Sequence, residues 1–354
     1  MNKYLSLKFK VLSFILIIMV VYVHSYNIPS YLNDDHKISL RGYNSFIQHL
    51  FSQELLRTAL RLFFAISGYL FFLNFSGTID SYSDKLKKRA KLLFVPYLFW
   101  SASWILIYCC LQYFALTRSL FKGTLINELS FTSLLGTLFL HPIPFQLWSI
   151  KELIILSLLS PILYFLIKQF KYAVTIIFFI AWFSNLNLYI FSSDSISFFS
   201  FGATLSILKS ERLKIICTKK HLAFVYIWLT ICFFATILDY QNFQNKVLFD
   251  LLKQIGILFG IVSIWVLYDL LPKYKNIEER KFFKFFSFSF FIYAFHLPLI
   301  TFVRAILFRF GNTEFISFSI YILAPIIVIC FILVTGYYWK KVFPRFYKII
   351  SGGR

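Results

Sequence analysis

The chain has 354 residues, 59% of them apolar and 21% aromatic, with a mean hydropathy of +0.73. Soluble domains hold ~45–50% apolar residues by a similar count, so a soluble fold is excluded and a polytopic membrane protein is expected. The net charge of +21 would suit nucleic acid only if it formed a basic face on a soluble domain, whereas here the cations are divided among loops. The cysteines (Cys109, Cys110, Cys217, Cys232, Cys330) are odd in number and lie in or beside apolar runs. Their spacing supports neither a disulfide framework nor a zinc or other metal site.

Apolar runs in chain order predict helices near 9–26, 55–76, 92–115, 147–168, 172–190, 195–209, 222–240, 249–271, 285–305 and 317–339. The expected fold is therefore all-α, about ten transmembrane helices in one domain spanning 1–354. The first run has a basic lead (Lys3, Lys8, Lys10) like a signal peptide. It ends in VHSYNIPS without a small-residue cleavage site, so it reads as retained. His24 closes this run, roughly 21 Å above Lys10 at 1.5 Å rise per residue.

The second run carries Arg57 and Arg61 on one face, then FFAISGYLFF (63–72). The Ser67-Gly68 step allows close approach of another backbone. An arginine at the depth of Arg61 costs ~2.5–3.5 kcal/mol unless a cavity or partner receives it; an anion, a sugar phosphate or Glu152 would serve. The third run is entered through KLKKRAKLLFVPY (85–97), readable either as positive-inside charge or as a clamp for the phosphates of a soluble donor.

Two longer outer segments, about 27–54 and 116–146, form the candidate acceptor-binding surface. The second ends in HPIPFQLW, whose two prolines imply a turn or re-entrant piece. In LWSIKELIILSLLSP (147–161), Lys151 and Glu152 lie near a helix end, where side chains snorkel to the surface. Near the C-terminus, IYAFHLP places His296 roughly 18 Å above Lys284, a depth matching that of His24. Histidine exchanges protons near neutral pH, so a buried imidazole here is a candidate base toward a hydroxyl, alongside the plainer reading of a hydrogen-bonded helix-end residue.

Sorting the 36 cations by loop puts 25 on one side, six on the other (Lys37, Arg41, Arg118, Lys122, Lys246, Arg309) and five within the spans. By the positive-inside rule both termini are cytoplasmic. Polytopic, cation-lined chains include lipid-linked oligosaccharide flippases and polymerases, and these remain the alternative class, distinguishable by function without CoA. A membrane scaffold would leave Arg61, His24 and His296 without a purpose.

VVYVHS, FFAISGYLFF, KKRAKLLFVPYLFW, LWSIKELIILSLLSPIL and FSFFIYAFHLPL occur in an order that resembles membrane acyltransferase family 3, in its short, membrane-only branch. These integral membrane proteins O-acylate exported glycans, antibiotics and lipid-linked sugars. The resemblance implies that His24 is catalytic and that Arg89 and Lys91 contact acyl-CoA, with acetyl-CoA the expected donor. Many members carry arginine eleven residues before the histidine; here that position is Ser13, with Lys8 and Lys10 nearby. Arg61, Ser67, Trp148, Glu152 and His296 are the candidate residues for a surface glycan or lipid-linked saccharide acceptor, in a bacterial cytoplasmic membrane.

Overall fold

In a bilayer every backbone carbonyl needs an internal donor, so prolines and glycines decide where the helices of this chain break, touch and hold their neighbours. The computed structural model describes residues 3–28, 42–118, 121, 125–209, 217–270 and 281–353, and among these there is no strand. Residues 29–41 of the first outer segment lie outside the described residues. So do Lys37, Arg41, Lys122, Arg212, Lys214, Lys273, Lys275, Arg280 and Arg354 of the charge partition.

Helix α1 spans Lys3–Val23, α2 Tyr43–Phe72, α3 Ile79–Tyr113 and α4 Phe131–Phe139. Then come α5 (Trp148–Leu158), α6 (Ser160–Phe170), α7 (Tyr172–Phe183) and α8 (Ser193–Ile207). The chain continues through α9 (Leu222–Tyr240), α10 (Lys246–Leu270), α11 (Ser289–Leu307), α12 (Glu314–Val342) and α13 (Pro344–Ile350). Among the described residues seven helices are long and apolar enough to cross a membrane, and α5 with α6 makes an eighth if the pair, bent by 63°, is one span. The chain is a multi-pass membrane protein.

The expected fifth and sixth spans are the helices α7 and α8, of 12 and 15 residues. At 1.5 Å per residue they cover roughly 18 and 22 Å, less than the ~30 Å hydrocarbon core. The expected fourth span breaks at Leu159, because Pro161 cannot donate to the carbonyl of Ser157. Ser160 Oγ donates to that oxygen instead, at 2.7 Å.

Helix α8 is nearly enclosed, and α2 is its closest neighbour. A Cβ built on Gly68 would lie 2.1 Å from the Phe199 carbonyl oxygen, and one on Gly202 would lie 1.9 Å from that of Ala65. The Ser67-Gly68 step thus receives the α8 backbone, with Gly202 returning the same contact one turn later. At the basic end, Lys8 is fully buried, pairs with Asp269 at 2.6 Å and lies 3.7 Å over the Trp265 ring. It therefore ties α1 to the end of α10 instead of serving as a surface cation.

Gly202→Ala forces two backbones apart and is expected to destabilise by ~1–3 kcal/mol. Gly136 on α4 has nothing within 4 Å of its Cβ position, so Gly136→Ala should stabilise by roughly 0.5–1 kcal/mol. Melting temperatures in detergent should move in opposite directions; a neutral Gly202→Ala would contradict the close α2–α8 contact.

Candidate active site

Two in-helix prolines place the two histidines. In α12, Pro325 leaves the carbonyl of Tyr321 without its helical donor, and Ser25 Oγ donates to it at 2.9 Å. In α11, Pro298 does the same to Ala294, whose oxygen accepts from Gln146 Nε2 at 3.0 Å. Ser25 directly follows His24, and Ala294 is two residues before His296. The histidine rings come together with centroids 5.4 Å apart, although they belong to opposite ends of the sequence.

The backbone around His24 is held from several sides. Its N–H donates to Val20, and its carbonyl accepts from Arg304 Nη1 at 3.3 Å. Just beyond, Asn27, Asn44, Gln48 and Ser317 form a fully buried network in which Gln48 Nε2 donates to both Asn27 Oδ1 and Asn44 Oδ1. Asn44 Nδ2 donates to Ser317 Oγ, which donates on to Asn27 Oδ1. Because each side-chain donor finds an acceptor, this network fixes the turn after α1.

His296 has no exposed surface. Its Nδ1 lies 2.8 Å from the Tyr293 carbonyl and 3.2 Å from that of Ile292. Carbonyls only accept, so Nδ1 carries the proton and Nε2 keeps a bare lone pair. Among the described residues no donor meets Nε2. The pair therefore offers a buried proton acceptor beside the half-buried ring of His24, an arrangement suited to taking a proton from a hydroxyl.

The other candidate residues fall into separate groups. Arg61 pairs with Asp194, Nη2 to Oδ2 at 2.5 Å, and donates from Nη1 to the Arg57 carbonyl. Glu152 is thus not its partner. Instead Glu152 accepts from the backbone N–H of Ser192 at 2.8 Å and from its hydroxyl at 2.9 Å. A carboxylate there, with Asp194 in the first turn, offsets the positive end of the α8 dipole. Trp148 packs on Phe64 of α2, ring centroids 6.3 Å apart.

At the basic end, Arg89 reaches back to α2, donating from Nη1 to Ser67 Oγ at 3.1 Å and from Nη2 to the Ser67 carbonyl at 3.0 Å. Lys91 is exposed on the π-helical turn Ala90–Phe94. A cavity of about 430 Å³ opens beside this turn, walled mainly by Leu86, Ala90, Phe94, Ile154 and Leu158 and bordered by Lys87 and Arg89. Arg89 and Ser67 are brought together, as are His24 and His296; Arg61 and Glu152 are not. Sequence reasoning passed over Ser25, Gln146, Asp194 and Arg304. A signal for the first two was present: each finds a carbonyl four residues before a proline.

The family model described as an acyltransferase domain matches residues 8–336. Among curated proteins, the chain is 24% identical over 359 residues to the succinoglycan biosynthesis protein ExoH of Rhizobium meliloti (strain 1021), covering 100% of this chain and 94% of that protein. No solved structure matches. With nearly its whole length in that match and its five motifs in family order, the chain belongs to membrane acyltransferase family 3.

Proposed function

We propose that the protein moves an acyl group, acetyl being the simplest, from cytosolic acyl-CoA to a hydroxyl of a cell-envelope glycan or lipid-linked sugar. The observation that carries this reading is the His24–His296 pair, two imidazoles with centroids 5.4 Å apart in which the buried Nε2 of His296 keeps its lone pair beside His24. The similarity to a protein of succinoglycan biosynthesis supports a glycan acceptor, and the acyltransferase family supports the transfer. A bacterial cytoplasmic membrane with both termini inside accords with the distribution of cations.

In this reading the CoA phosphates lie among Lys85, Lys87, Lys88, Arg89 and Lys91, and the pantetheine arm extends toward the histidines. His24 takes the proton of the acceptor hydroxyl as its oxygen attacks the thioester carbonyl carbon. The C–S bond breaks, the new ester forms, and the departing thiolate recovers the proton from the imidazolium. Ser67, held by Arg89, links the donor end of the path to α2, and Trp148 and Arg61 border the acceptor side. Acyl-CoA is consumed as a substrate, and no metal is invoked.

His24→Ala is expected to lower acetyl transfer by a factor on the order of 10²–10⁴ while acetyl-CoA binding and melting temperature stay near wild type. Retained transfer would reject the assignment. Lys87→Ala with Lys91→Ala should raise the KM for acetyl-CoA about tenfold or more, since charge-assisted contacts are worth ~1.5–3 kcal/mol each. An unchanged KM would return the basic segment to a role in topology alone.

A further inference from the structure

Gln146 does more than replace the N–H that Pro298 lacks. Its bond from Nε2 to the Ala294 carbonyl decides which way the amide faces, because the flipped amide would set oxygen against oxygen. Oε1 therefore points elsewhere, and it is buried with no donor among the described residues, in a residue that is 1% exposed. His296 Nε2, two residues along α11 from Ala294, is buried in the same unpartnered state. Tyr293 joins the two segments: its hydroxyl donates to the Gln146 backbone carbonyl, and its own carbonyl accepts from His296 Nδ1. The two segments that Tyr293 joins thus carry two buried acceptors awaiting donors, and burying such atoms unpaired costs stability.

An amide oxygen and an imidazole lone pair attract hydroxyls and give nothing to a phosphate or carboxylate. We propose that Gln146 is a specificity-determining residue whose Oε1 accepts a hydrogen bond from a second acceptor hydroxyl, adjacent to the one that is acylated. The acceptor class is then a sugar unit with two neighbouring free hydroxyls, as opposed to an isolated alcohol. This rests on the acyl-transfer reading above. The three-residue turn Phe145–Leu147 that carries Gln146 is in effect the polar wall of the acceptor subsite, fixed to α11 by the carbonyl that Pro298 sets free.

The role of Gln146 as a cap and its role toward substrate can be separated through that proline. Pro298→Ala restores the helical N–H for the Ala294 carbonyl, so in this background the cap is dispensable and Gln146→Met removes only Oε1. Acetyl transfer from acetyl-CoA would be followed with methyl α-D-glucopyranoside and its monodeoxy analogues as acceptors. Wild-type protein and Pro298→Ala should both disfavour the analogue lacking the neighbouring hydroxyl, by about tenfold in kcat/KM. The double variant should raise the KM for the parent glycoside about tenfold relative to Pro298→Ala, lose the discrimination, and keep kcat and melting temperature. A double variant that matches Pro298→Ala would overturn the inference, leaving Gln146 as a cap or the holder of a buried water. Wild-type protein that ignores the missing hydroxyl, or that transfers to none of these glycosides, would overturn the acceptor class. Transfer that proceeds without His24 would instead refute the functional reading, whatever Gln146 does to KM.

Discussion

The carbonyls that prolines free inside a bilayer are the constraint around which this molecule is arranged. Hydrocarbon offers no donor, and an unpaired buried carbonyl costs ~1–3 kcal/mol. The donors must come from other segments: Ser25 for Tyr321 and Gln146 for Ala294. Each repair also fixes the position of one of the two histidines. The first sets Ser25, two residues past α1, against α12, with His24 beside it. The second sets the 145–147 turn against α11, within two residues of His296. The freed carbonyls act as sockets, and the two imidazoles meet because their neighbours are plugged into them.

A second constraint comes from helices too short to cross. Helix α8, at 15 residues, is shorter than the hydrocarbon core is thick, yet it is nearly enclosed, so its backbone must be compensated by contact. Gly68 and Gly202 let two main chains meet, gaining dispersion contacts where a hydrophobic driving force is weak. Its N-terminus is met by Glu152 and its first turn carries Asp194, which in turn pairs with Arg61. Charges that look like an anion site in the sequence are here part of the means by which a short helix is held within the membrane. Arg89 belongs to both worlds, since it is bonded to the Ser67 backbone and borders the cavity at the basic end.

Much of this was legible in residue order. Long apolar runs announced the spanning helices, Ser67-Gly68 announced a close backbone contact, and equal helical rise put His24 and His296 at one depth. Partner choice was less legible. Arg61 could be seen to need an anion, but Asp194 sits at the start of a serine-rich helix 133 residues away, and only tertiary packing selects it over Glu152. Of the ten expected spans, seven or eight are matched among the described residues by helices long and apolar enough to cross, because hydropathy registers an apolar segment whatever the length of the helix it forms. Lys8 read as a loop cation because a one-dimensional charge tally cannot show that Asp269 and Trp265 enclose it. Ser25 and Gln146 were hidden for a different reason: the rule that a proline frees the carbonyl four residues earlier names the acceptor and leaves the donor open.

The central claim is that His24 works by exchanging a proton and not by holding the fold. Acetyl transfer and melting temperature of the His24→Gln variant, measured together in detergent, test it most directly. Glutamine can donate and accept hydrogen bonds in the volume of the imidazole but cannot take a proton near neutral pH. The account predicts a melting temperature close to wild type with transfer reduced by a factor on the order of 10²–10⁴; transfer near the wild-type rate would contradict it.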